Sequence, residues 1–183
     1  VGAQDASSAD PFAGKIGSLI SGLPAQSVAY EVHLADIDEA LSQAVVRAHE
    51  LPHLHAHAVD ATNAQSLDRH LAAHPVDAVI SSLPYDCNTA VAAAAKRAEV
   101  HHFDLTEDVE VTRVVRQLAK DAPRAFVPQC GLAPGFVSIA ANELIKHFEE
   151  VRTVKLRVGA LPQHPNNVLK YSLTWSTEGL INE

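Results

Sequence analysis

Short apolar runs and amphipathic stretches of about ten residues alternate along most of this chain, and few folds accommodate that rhythm. Strands are expected at Tyr30–Asp36, Leu54–Val59, Val76–Ser81, Val100–Leu105 and Ala125–Gln129. Helices are expected at Ala13–Gly22, Asp38–Glu50, Ala64–Ala73, Asn88–Ala98, Val109–Lys120 and Ser138–Phe148. In the first helix Ile16, Leu19 and Ile20 stand at helical spacing, and Pro24 marks its end. Strand and helix in strict succession imply parallel βαβ units, hence an α/β fold with a doubly wound parallel sheet of the Rossmann type. Such sheets bind ligands beyond the carboxyl ends of their strands, so the loops there are where function is sought.

After Glu150 the rhythm changes. Val151–Leu161 and Val168–Trp175 read as two successive strands around a Pro- and Asn-containing loop, the start of an α+β substrate domain. The expected organisation is a leader or incomplete first strand over 1–12, a Rossmann domain over 13–150, and the beginning of a truncated catalytic domain over 151–183. The formal net charge is -8 with the basic residues scattered, which argues against nucleic acid or an anionic membrane as partner. No apolar run is long enough to span a bilayer. The first ten residues are polar, and two cysteines are too few for a disulfide framework, so a cytoplasmic protein is expected.

Gly14-Lys15-Ile16-Gly17 has the spacing of the second and third glycines of G-x-G-x-x-G, and Phe12 stands where the first would be. Either the first strand is built differently, or residues that belong before Ala13 are lacking. Ala13, Gly14, Lys15, Ile16 and Gly17 are the expected pyrophosphate contacts, because a helix start offers free N–H groups and a positive dipole end. Asp36 lies 19 residues beyond Gly17 at the end of the next strand, where a carboxylate accepts from the adenosine ribose. That carboxylate would repel a 2′-phosphate, so NAD is favoured over NADP. Ile37 adjoins it, and Asp60 and Ala61, at the end of the next strand, are expected to border the adenine.

Ser81, Ser82, Leu83 and Pro84 form a small-residue loop that lets ribose and nicotinamide approach the backbone, with Tyr85 and Asn88 available to a substrate. The same stretch reads equally well as a turn capped by Asp86 or Asn88. Asp104 sits where a carboxylate faces the cleft. His101 and His102 suit proton transfer, but half-exposed rings with Thr106 as a helix cap are the favoured reading. Cys130 opens the loop Cys130–Gly135, whose glycines and proline demand special backbone angles; a nucleophilic thiol is disfavoured. His53, His55 and His57 alternate along a strand. An H-x-H metal site would make the chain a hydrolase, but no ligand set is completed, so a solvated face is favoured and no metal is expected.

Taken together, AGKIGSLI, YEVHLADID, SSLPY, HHFDLTED, CGLAPGF and the final VGALPQHP…LKYSLTWSTEGLINE resemble the saccharopine dehydrogenase family, most of all its lysine 6-dehydrogenase-like branch. The resemblance runs from Ala13 to the end of the chain, and its CGLAPG and WSTEGLINE segments are the most specific. It implies oxidation of a carbon–nitrogen bond with a pyridine nucleotide, or the reverse reduction of an imine. It also places Asp104, Tyr85 and Cys130 at the nicotinamide and substrate pocket: Asp104 for orientation or proton handling, Tyr85 for substrate contact, Cys130 packed on the nicotinamide side. A small amino-acid or imine substrate and a homodimer are expected. The competing reading is a dinucleotide-binding or interaction module without catalysis.

Overall fold

The structure, a computed structural model, describes residues 14–27, 29–159 and the single positions 164, 168 and 170. Ala13, the expected leader 1–12 and nearly all of the expected strand Val168–Trp175 lie outside the described residues. Five strands and six helices alternate as α1 (Lys15–Ala25), β1 (Val32–Asp36), α2 (Glu39–His49), β2 (Leu54–Ala58), α3 (Ala64–Ala73), β3 (Ala78–Ser81), α4 (Tyr85–Arg97), β4 (His101–Asp104), α5 (Val109–Ala119), β5 (Phe126–Val127) and α6 (Phe136–Ile145). β1 and β2 pair in parallel, and β3, β4 and β5 form a second parallel set in that order. The α/β parallel architecture expected from the alternation is what forms.

Neighbouring residues of β1 show that both faces are covered. Leu34 packs with Ala25 of α1, Val45 of α2 and Leu54 of β2. Its neighbour Ala35 joins Leu67 of α3, Val79 of β3 and Val91, Ala94 and Ala95 of α4. Successive strand residues point to opposite sides, so α1 and α2 lie on one face and α3 and α4 on the other. The second cluster draws on both strand sets and so ties them into one core. Each fully buried Leu or Val contributes roughly 2 kcal/mol to that core.

Side-chain caps set three of the six helix starts among the described residues. Asp38, Asn63 and Asp108 cap α2, α3 and α5 by accepting backbone N–H bonds from Ala40, from Gln65 and Ser66, and from Val111 respectively. Two expectations fail here. Thr106 is not the cap of α5; its hydroxyl accepts from the amide of Asp108, which holds the cap itself. Neither Asp86 nor Asn88 caps α4, because that helix begins three residues early, at Tyr85 behind Pro84, and so carries both residues inside it.

The first helix also differs from expectation. Its buried residues are the small ones, Gly17, Ser21, Gly22 and Ala25, whereas Ile16 and Leu19 are about half exposed. Small side chains let α1 approach the strands and α2 closely; a Cβ on Gly22 would stand 2.5 Å from the His49 ring. Helix α1 also runs one residue past Pro24, since a proline in the last turn already has a helical φ. Beyond α6, residues 151–159 are exposed and form no strand pairing among the described residues, the expected partner strand falling almost wholly outside them. No helix of the described residues is long and apolar enough to cross a membrane.

Candidate functional site

Gly14–Gly17 open α1, and the other described candidates end a strand, follow its carboxyl end or open the helix after it. Gly14 takes a positive φ of 46°, which glycine adopts at little cost, and no side chain caps the helix it starts. The first turn of α1 is therefore backbone N–H groups beside small residues, the arrangement that suits a diphosphate. Gly17 is buried and Ile16 exposed, while the Lys15 side chain is outside what is described.

Asp36 ends β1 on the α1 side of the sheet, because it shares the face of Leu34. It is 1% exposed. Its Oδ1 accepts from the Asp38 amide at 3.0 Å, while Oδ2 is buried without a hydrogen-bond partner among the described residues. Burial pushes its pKa up, against the opposing pull of the Asp38 amide. An orphaned buried oxygen of this kind is uncommon in folded proteins. Ile37 next to it is half exposed. Asp60, by contrast, spends its Oδ1 on the Thr62 hydroxyl and amide, at 2.6 and 2.9 Å, which lowers its pKa; it shapes the turn into α3, with Ala61 buried behind it.

At β3 and β4 the register sets Ser81 beside Asp104. Ser81 is buried and donates to Asn88 Oδ1 at 2.5 Å, which locks the loop Ser82-Leu83-Pro84 against the first turns of α4. Ser82 is buried, and Leu83 and Pro84 are half-buried. Tyr85 is half-buried against Ala92, Val111 and Val115, on the α4–α5 interface.

Asp104 is the hub of the edge. It is fully buried, with Oδ2 paired to His102 Nε2 at 3.0 Å and Oδ1 accepting from the amides of Thr106 at 3.1 Å and Gln129 at 3.4 Å. Its carbonyl accepts from the Cys130 amide at 2.9 Å and the Cys130 thiol at 3.0 Å. Asp104 and Cys130 are thus brought together. His102 is not half-exposed; it is fully buried, and only His101 is partly exposed, accepting from the Ala125 amide. The period-2 pattern carried this information, since residues 102 and 104 share an inward face. Burial, then the Asp104 charge, raise the Cys130 pKa, so the sulfur is a thiol at neutral pH and a poor nucleophile. The turn that follows contains a cis peptide at Ala133–Pro134 and Gly135 at φ 134°, where a Cβ would collide with the Gly131 backbone.

None of these residues lines the larger recess, about 800 Å³ between α6 and residues 150–157, which is mostly apolar. The candidate residues sit instead at the strand ends and helix starts.

Residues 12–129 match the family model described as the saccharopine dehydrogenase NADP-binding domain. The chain belongs to this family. It is 28% identical over 129 residues to a saccharopine dehydrogenase (NADP(+), L-glutamate-forming) of Pyricularia oryzae, covering 67% of this chain and 28% of that protein. It is 31% identical over 111 residues to a mitochondrial alpha-aminoadipic semialdehyde synthase of Mus musculus, covering 57% of this chain and 12% of the relative. The solved apo saccharopine dehydrogenase (L-Glu forming) of Saccharomyces cerevisiae superposes with a TM-score of 0.71 at 22% identity, over 92% of this chain and 38% of that one. The chain thus spans no more than 38% of the length of any of these relatives, and the last comparison speaks to the fold alone.

The family corrects the expected cofactor. The matched domain is an NADP-binding one, which overturns the preference for NAD. The physical reason lies in Asp36. The preference assumed a carboxylate exposed toward the sugar, but this carboxyl is 1% exposed and anchored through Oδ1 to the Asp38 amide, so it is not presented freely to a 2′-phosphate.

Proposed function

We propose that this chain is the dinucleotide-binding part of an NADP-dependent oxidoreductase acting at the carbon–nitrogen bond of an amino acid or imine, with saccharopine or a lysine-like amine as substrate class. One observation carries the reading most directly: the uncapped glycine start of α1 and the orphaned Asp36 oxygen lie on the same side of the same sheet, in a chain of the NADP-binding family. The amides of residues 14–17 would hold the pyrophosphate, with Asp36 Oδ2 accepting from the ribose hydroxyl that bears no phosphate. Ser81, Ser82 and Pro84 would leave room for the nicotinamide ribose. NADP, when bound, supplies the acceptor for a hydride leaving the carbon that bears the amine. Asp104 is best read as a positioning residue, since both its oxygens are engaged and its carbonyl fixes Cys130. Tyr85 opens α4 beside that edge and is the substrate-contact candidate.

The test pairs NADPH binding, followed by nicotinamide fluorescence, with NADP+ reduction at alkaline pH in the presence of saccharopine, lysine or related amines. Saturable binding with amine-dependent reduction is expected. Binding without turnover on any amine overturns the catalytic reading in favour of a binding module, and absence of binding at millimolar NADPH overturns both.

A further inference from the structure

On the α3 side of the β1–β2 pair, histidines from three elements meet. His33 of β1 stands opposite His55 in the register, with His57 one pleat further along β2, so all three share the face of Ala35. Helix α3 ends over that face with His70 in its last turn and His74 as its C-cap, one helical turn apart. The rings are close: His57 to His74 4.3 Å between centroids, His57 to His70 4.9 Å, His33 to His57 5.0 Å. One ligand atom from each of His33, His57 and His74 lies within 4.8 Å of the others. A recess of about 220 Å³, lined by His57, His70, His74 and Arg69 among others, opens beside them.

We propose that His33, His57 and His74 form a binding site for one divalent transition-metal ion of the zinc class, with His70 beside its fourth coordination position. The donor set decides the class. It consists of imidazole nitrogens, which zinc, cobalt, nickel and copper accept, and holds none of the oxygen donors that calcium and magnesium require. Tetrahedral zinc with bonds of about 2.0–2.1 Å places its nitrogens about 3.3 Å apart. His33 Nδ1 and His57 Nε2 already lie 2.8 Å apart, so small ring rotations suffice. Glu31, bonded to His55 Nε2 at 3.1 Å, adds a carboxylate at the margin of the cluster. Without metal, His33 and His57 hydrogen-bond each other within a packed cluster of rings, and that is the alternative to be tested.

The site is separate from the dinucleotide edge. His33 and His57 precede Asp36 and Asp60 by three residues, about 10 Å along a strand. A bound ion would cross-link β1, β2 and α3, the elements that hold Asp36 and Asp60 in place, and its binding energy would add to folding stability. This role does not depend on catalysis or on which cofactor is bound.

The experiment uses tag-free, chelator-treated protein titrated with Co2+, whose four-coordinate form absorbs in the visible. One equivalent should bind with that spectrum, be displaced by Zn2+, and raise the melting temperature. His57→Ala and His74→Gln should each weaken Co2+ binding about 100-fold or more, while His147→Ala, outside the cluster, leaves it unchanged. His74→Gln sits at a helix end and keeps the test open should His57→Ala fail to fold. Absence of a stoichiometric visible band at millimolar Co2+, or wild-type affinity in a folded His74→Gln protein, overturns the proposal.

Discussion

At the residue scale the most consequential pair is Asp104 and His102, both fully removed from solvent. Removing one partner of a buried, hydrogen-bonded pair strands the other, so Asp104→Ala is expected to destabilise by about 3 kcal/mol, read from denaturant midpoints. It should also free the Thr106 and Gln129 amides and loosen the Cys130 loop. Wild-type stability in that variant would show that the hub carries no structural weight. Gly135 is the second case. Its φ of 134° and the blocked Cβ position mean that Gly135→Ala should cost about 2–3 kcal/mol, against near-neutral substitution at Gly159, where the Cβ position is open. Asp104 and Cys130 were visible in the sequence as candidates, yet their connection was not. It runs through a carbonyl, which no side-chain pattern reveals.

At the element scale, helix starts obey local chemistry closely enough to predict energies. Asp108→Ala should destabilise by about 1 kcal/mol, because the Val111 amide loses its acceptor, whereas Asp86→Ala, in the first turn of a helix it does not cap, should change stability by no more than about 0.5 kcal/mol. The five-histidine face predicts a pH effect. Burial first, then the neighbouring imidazoles, lower the pKa of His57 and of His70 from 6.5 to about 4, and burial lowers that of His33. His55, His74, Arg69, Glu31 and Glu39 are the other titratable or charged groups around them, with the two glutamates acting the opposite way. A base whose folded pKa lies below its unfolded one takes up fewer protons when folded, so stability must fall as pH drops from 6.5 towards 4. Melting temperatures in EDTA across that window check it; a flat profile contradicts it. The strands and helices were legible because period 2 and period 3.6 survive in single segments. The histidine cluster was not. His55 and His57 were noticed on one strand, but the set that converges needs the β1–β2 register and the end of α3. Helix α1 was misjudged for a related reason: its apolar residues advertised a core stripe, while close approach to the sheet selected the small ones.

At the scale of the whole molecule, a doubly wound parallel sheet brings the loops at its strand ends to one edge, and the chain belongs to an NADP-binding family. Alternation was enough to read the fold from sequence, and the G-x-x-G to Asp36 spacing directed attention to one edge of the sheet. The choice between cofactors was not, because it hinges on how deeply one carboxyl is buried and on what anchors it, which spacing does not reveal. Discrimination should follow: NADPH is expected to bind about tenfold or more tighter than NADH in parallel fluorescence titrations, and equal or reversed affinities would restore the charge-repulsion argument. The most direct test of the central claim is backbone hydrogen exchange with and without saturating NADPH. Protection should rise at residues 14–18 and 36–38, where the helix start and the buried carboxyl meet the cofactor. Saturable NADPH binding that leaves both segments exchanging as before would contradict it.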